Sequence, residues 1–148
     1  MANAGPIPDE TPVPERLPAA AVQMVKIFAD GKIAQLKFDL DGVRWVDGYI
    51  NRCRHEFPPG QRSGLVSYLS AFVGECIIAT FGGEWTLGDH GLWGVQVTKH
   101  VWACPRAKIE KQFESGPSES VASFVEFIPA LDKGLESGAI SSPASRKP

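Results

Sequence analysis

SGLVSYLSAFVGECIIATFGGEWTLGDHGLWGVQV, residues 63–97, changes its hydrophobic period part-way along, and that change decides the fold. From Ser63 to Gly83 the only charged residue is Glu75. At 100° per residue, Leu65, Val66, Leu69, Val73, Cys76 and Ile77 cover one side of a helix. Tyr68, Ala71, Phe72 and Ala79 continue that surface, leaving a strip of small residues, Ser67, Ser70 and Gly74. The pattern predicts a helix buried on most of its circumference, with a strip where another element can come close. Its length would also suit a bilayer, but the serines, the glycine and the glutamate argue for a protein core.

Gly82 and Gly83 supply the backbone freedom that ends a helix. Beyond them, Trp85-Thr86-Leu87 and the run Leu92 to Val97 are patterned as strands, joined by Gly88-Asp89-His90-Gly91, a connection rich in turn formers. A third run, His100 to Cys104, is stopped by Pro105. A three-stranded antiparallel meander is expected, with Trp93, Val95 and Val97 on the face that meets the buried helix. Trp102 then falls opposite Val101 and Ala103, on the outer face.

Outward from this joint, the remaining segments are helical. AAAVQMVKIFADG places Val22, Val25 and Phe28 at helical spacing and stops at Gly31. Leu40, Val43, Val46, Ile50, Cys53 and Phe57 form one stripe, ended by Pro58-Pro59, with Arg44, Asp47, Asn51 and Arg54 off it on the solvent side. RAKIEKQFESG sets Ile109 four residues before Phe113, pairs Arg106 with Glu110 on the surface, and ends at Gly116-Pro117. SESVASFVEFIPALD starts from a capping Ser118, aligns Val121, Phe124, Val125 and Ile128, and is kinked or ended by Pro129. The fold class is therefore α+β, four to five helices packed on one face of a small sheet.

Five prolines among residues 1–18 leave little apolar periodicity, so this stretch is expected to be a disordered, extended tail. Residues 134–148 are expected to be a second disordered tail, leaving residues 19–133 as one globular domain. A length of 148 residues, 43% hydrophobic and 22% charged, suits a single domain with a real core. The net charge of −2 gives no electrostatic footprint for nucleic acid or an anionic membrane, and neither partner is expected. No basic region precedes an apolar run at the start, so a cytoplasmic location is expected. Cys53, Cys76 and Cys104 lie in apolar-patterned segments and read as reduced, buried thiols.

The order GECIIATFGGEW, GLWGV and KQFESGPSESVASF resembles a bacterial domain of unknown function. Its motifs are a Gly-Glu pair in a buried helix, Gly-Gly-x-Trp, a Gly-x-Gly-Val strand, from which GLWGV departs by one extra residue between the glycines, and a Lys-x-x-Glu-x-Gly…Ser-x-x-x-Phe helix pair. The resemblance covers residues 43–131. It implies a small soluble bacterial protein of α+β type and brings no activity with it. In size and character such domains look similar to accessory and immunity-type proteins.

Candidate chemistry centres on Glu75. A carboxylate flanked on its helix by Tyr68, Ala71 and Ala79 must be paired, reach an edge, or hold its proton. It is either a functional base or ligand contact, or a structural acceptor for backbone N–H groups or a tryptophan indole of the following hairpin. Cys76, with His90 or His100 as base, makes a poor nucleophile so far from a helix N-terminus. For a metal, Cys76, Glu84, Asp89, His90, His100 and Cys104 show none of the close ligand pairs that zinc sites use. His100 and Cys104 would lie about 13 Å apart along a strand. No metal and no cofactor are expected.

Two functional expectations follow. The first is a non-enzymatic protein that acts by protein–protein contact, with another protein or a second copy of itself, through an outer sheet face bearing Trp102 and the Asp89-His90 turn. The second is a small enzyme or ligand-binding domain with a pocket around Glu75, Trp85 and His90.

Overall fold

A computed structural model of the protein describes residues 13–138. The architecture is α+β: five α-helices and a three-stranded antiparallel sheet. The N-terminal and C-terminal tail expectations for residues 1–12 and 139–148 lie outside the described residues. Within them, both boundaries move outward.

Helix α1 spans Val13–Asp30, so Val13 to Pro18 are helical rather than extended. Pro14 sits in the first turn, where backbone N–H groups have no intrahelical acceptor, and loses nothing by lacking one; Pro18 forgoes one bond inside the helix. Of the expected stripe, Phe28 is buried and Val25 packs against the core, but Val22 is 59% exposed, and Leu17, Ala21 and Met24 complete the inward side. Ala21 and Met24 let α1 lie close against α3, its main neighbour. The chain reverses after Gly31 through Lys32, which takes the left-handed conformation at φ 57°.

Helix α2 (Leu40–Cys53) is capped by Asp39, whose side chain accepts from Gly42 N at 2.8 Å. Val43, Val46, Ile50 and Cys53 are buried as the stripe predicts. Gly42 is required here, because a Cβ would overlap Lys37 O and the Phe72 ring. The helix ends at Cys53, short of Phe57, and Arg54 turns to cap another helix.

Helix α3 (Ser63–Phe81) is the central element, packed against α1, α2, the fourth helix and the second strand. Val66, Leu69, Phe72, Val73, Cys76 and Ile77 are buried. By length and composition α3 is long and apolar enough to cross a membrane; half of that stretch is buried within the fold. Gly82 (φ 89°) ends it and Gly83 (φ 114°) starts the sheet in a conformation that side chains rarely adopt.

The strands are β1 (Glu84–Leu87), β2 (Trp93–Gln96) and β3 (Trp102–Ala103), in that order. Trp85 pairs with Val95 and Val95 with Ala103, which puts these three on the inner face with Leu87 and Trp93. Helix α4 (Pro105–Ser115) follows directly, then a 3₁₀ turn (Gly116–Glu119) and α5 (Val121–Ser137). The α5 cap is Ser120, not Ser118: its Oγ accepts from Ser123 N at 3.0 Å. Pro129 does not end α5, which runs on to Ser137.

Three residues expected on the solvent side of α2 are instead drawn into the core's polar seam. Asp47 Oδ2 accepts from Ala122 N at 2.9 Å and from the Ser120 hydroxyl, while Asp47 O and Asn51 Oδ1 accept from Gln112 Nε2 at 3.2 and 3.1 Å. Gln112, fully buried, accepts from Val121 N at 2.9 Å. The first N–H groups of α5 are therefore satisfied by side chains of α2 and α4. Arg54 donates to Phe113 O and Glu114 O, the last carbonyls of α4, at 3.1 and 2.6 Å.

Candidate functional site: the helix-to-sheet joint and the groove beside it

Glu75 and Trp85 meet. Trp85 Nε1 donates to Glu75 Oε2 at 2.7 Å, and the Trp85 ring lies against Gly74, where a Cβ would overlap it. The small strip of α3 has thus received the close approach it predicts, and the partner is an indole. This geometry makes Glu75 the acceptor for a hairpin tryptophan, one of the two roles open to it from its sequence setting.

His90 and Asp89 stand apart from that pair. Both are exposed, in a turn closed by Gly88 N to Leu92 O at 2.7 Å and Gly91 N to Gly88 O at 3.1 Å. Trp102 occupies the outer face, as alternation requires, but it is not a free anchor. Its Nε1 donates to Thr86 O at 3.1 Å, and its ring lies so close over Gly88 and Gly94 that a Cβ on either would come within 2.5 to 2.6 Å of ring or backbone atoms. The indole serves as a cover for the sheet, which glycines at those two positions make room for.

The thiols are chemically quiet. Burial pushes Cys76 up to about 12, and burial also raises Cys53 and Cys104. All three are free. A thiol held above its ordinary range carries almost no thiolate near neutral pH, so none of them is an activated nucleophile. Among the described residues, no group of three or more His, Cys, Asp and Glu side chains gathers that could hold a metal ion.

A half-open groove of about 290 Å³ runs between the start of α1, one flank of α3, the hairpin and the start of α4. Trp85 lines it; Glu75 and His90 do not. Leu17, Leu92, Trp93 and Pro105 add apolar wall, and Ser67, Ser70 and Arg106 interrupt it. Arg106 Nη1 donates to Ser67 Oγ at 3.0 Å, and Arg106 Nε is 3.4 Å from Glu110 Oε2, the surface pair that the spacing predicts. Of the trio Glu75, Trp85 and His90, only Trp85 lines this groove. The lining residues come from separate elements, and the only sequence signal toward them is the small strip of α3.

No family model matches this chain, and no curated protein or solved structure matches it.

Proposed function

We propose that the protein is a non-enzymatic binding module that acts by contact with another protein, and that the hairpin end of the sheet is its working face. One observation carries this reading. Leu87 is 53% exposed and Leu92 40% exposed, side by side with the half-buried Trp93, which pairs with Leu87 across β1 and β2. Large apolar side chains grouped at one end of a rigid hairpin are a recurrent form of protein-contact surface. The reactive groups nearby support the non-enzymatic part: Glu75 is occupied by an indole, and the thiols are held protonated by burial. A small accessory factor of the cytoplasm, immunity-type proteins being one kind, is the role that fits such a module.

The test replaces Leu87 and Leu92 by glutamate together. Both are exposed, so the fold should survive, as circular dichroism and a thermal melt would establish. Sedimentation velocity reads self-association, and titration against the products of neighbouring genes reads association with a second protein. The wild-type chain is expected to associate in one of these ways and the double variant to lose it. A double variant that associates as the wild type does, or a wild type that stays monomeric and binds none of those products, overturns the reading.

A further inference from the structure

The groove beside the hairpin carries chemistry that a protein-contact surface does not use. Ser70 lines it, is only 7% exposed, and its buried Oγ has no hydrogen-bond partner. A serine inside a helix usually returns its proton to a carbonyl one turn back, and an unpaired buried hydroxyl is destabilising. Here that proton is available to an acceptor atom in the groove.

Two further features select negative charge at the same place. Arg106 is anchored on Ser67, and its Nη2 makes no hydrogen bond among the described residues. Glu110 does not neutralise it firmly, because an i,i+4 pair with side chains 31% and 51% exposed is screened by solvent and weak. Helix α4, eleven residues long, also begins at this wall with Pro105, so the positive end of its dipole lies beside the guanidinium.

The rest of the wall is apolar, from Leu17, Trp85, Leu92, Trp93 and Pro105. A volume of about 290 Å³ lies just below the range for drug-sized ligands, about 300–1,000 Å³, which suits only a small molecule. We propose that this groove binds a small free carboxylic acid with an aromatic or short aliphatic body, its carboxylate on Arg106 and its body between the two tryptophans and Leu17. Ser70 donates to an oxygen of the ligand, and the half-open mouth lets the acid enter without opening the core. The site does not depend on a protein docking at the hairpin. Leu92 and Trp93 are common to both surfaces, so Arg106 and Ser70 carry the test.

The experiment titrates the full chain with indole-3-acetate, phenylacetate and octanoate, with indole-3-acetamide as the uncharged control. Intrinsic tryptophan emission and calorimetry are the readouts. At least one acid is expected to bind saturably and shift the emission, and the amide to bind about tenfold more weakly or not at all. Arg106→Gln is expected to weaken the acid about tenfold while leaving any amide binding unchanged, which separates loss of the anion contact from loss of the fold. Ser70→Ala should weaken the acid by a smaller factor. Failure of all three acids to bind overturns the proposal. So does equal affinity for acid and amide, or an Arg106→Gln variant that binds the acid as the wild type does.

Discussion

Trp85 Nε1 donates to Glu75 Oε2 at 2.7 Å while its ring rests on Gly74, so two consecutive residues of α3 hold the first strand of the sheet. Each group answers a need of the other. A half-buried carboxylate on an apolar helix requires a donor, and an indole N–H covered by the fold requires an acceptor. Gly74 sets the distance between them, because any side chain there would lift the ring off the helix. Helix and hairpin are therefore joined by a polar bond and a steric fit at one point.

Replacing Glu75 separates the two parts. Glu75→Leu leaves the indole N–H without its acceptor and is expected to destabilise the protein by about 1–3 kcal/mol. Glu75→Gln keeps an oxygen acceptor, loses the charge assistance, and should fall below about 1 kcal/mol. Urea denaturation followed by tryptophan emission measures both. A Glu75→Leu variant as stable as the wild type would remove the structural account of this carboxylate.

Gly74→Ala sets two effects against each other. Alanine is favoured over glycine in a helix interior by about 1 kcal/mol, whereas overpacking a tight contact costs about 1–3 kcal/mol. The new Cβ falls inside the Trp85 ring rather than against a flexible side-chain end, so overpacking should win and the variant should be less stable than wild type. Gly64→Ala, on the same helix with open space around its missing Cβ, is the control and should be neutral or stabilising. If both substitutions stabilise, the indole does not rest on Gly74.

The period switch at Gly82-Gly83 was legible because a helix with one charge and a hairpin with alternating faces differ over a long stretch. The Glu75–Trp85 contact was half legible: a lone carboxylate ten residues before a tryptophan implies a partner nearby without naming it. The start of α1 was hidden because Pro14 and Pro18 signal a break, while a proline in the first turn loses no backbone bond. Val22 was read into its inner stripe in place of Ala21, which weighs little in a hydrophobic pattern but is what permits close packing on α3. Asp47 and Asn51 looked solvent-facing because periodicity reports only their own helix, and their partners Gln112 and Ser120 lie 61 to 73 residues away. The groove was illegible for the same reason, since its walls come from α1, α3, the hairpin and α4.

That hidden polar seam should be energetically prominent. Gln112→Leu removes the acceptor for Val121 N and the donor to Asp47 O and Asn51 Oδ1, all within or beside the core. Each polar group stranded there costs about 1–3 kcal/mol, so Gln112→Leu should be among the most damaging single changes despite its apolar character. Asp47→Ala should uncap α5, and the double variant should lose less than the sum of the two singles, because both act on the same helix start. Additive losses in a double-mutant cycle would show that Asp47 and Gln112 hold α5 independently.

The buried Cys76 thiol predicts how stability responds to alkali. An ordinary thiol ionises near 9.0, and burial against the apolar core pushes Cys76 up to about 12. Between these values the unfolded chain has released the proton and the folded chain retains it, so the unfolded state binds fewer protons and stability falls as pH rises. The contribution is fully present below pH 9, declines between 9 and about 12, and changes no further above that. Over this window the slope from one such group is about −1.4 kcal/mol per pH unit. Burial also raises Cys53, Cys104 and Tyr49, so the absolute curve is not diagnostic. The difference from Cys76→Ala is. The variant is less stable at neutral pH for loss of packing, but its urea midpoint should decline less steeply from about pH 9 to 11, narrowing the gap to wild type by about 1 kcal/mol or more per unit. Parallel curves for the two proteins would mean that the thiol reaches solvent and ionises in the folded state.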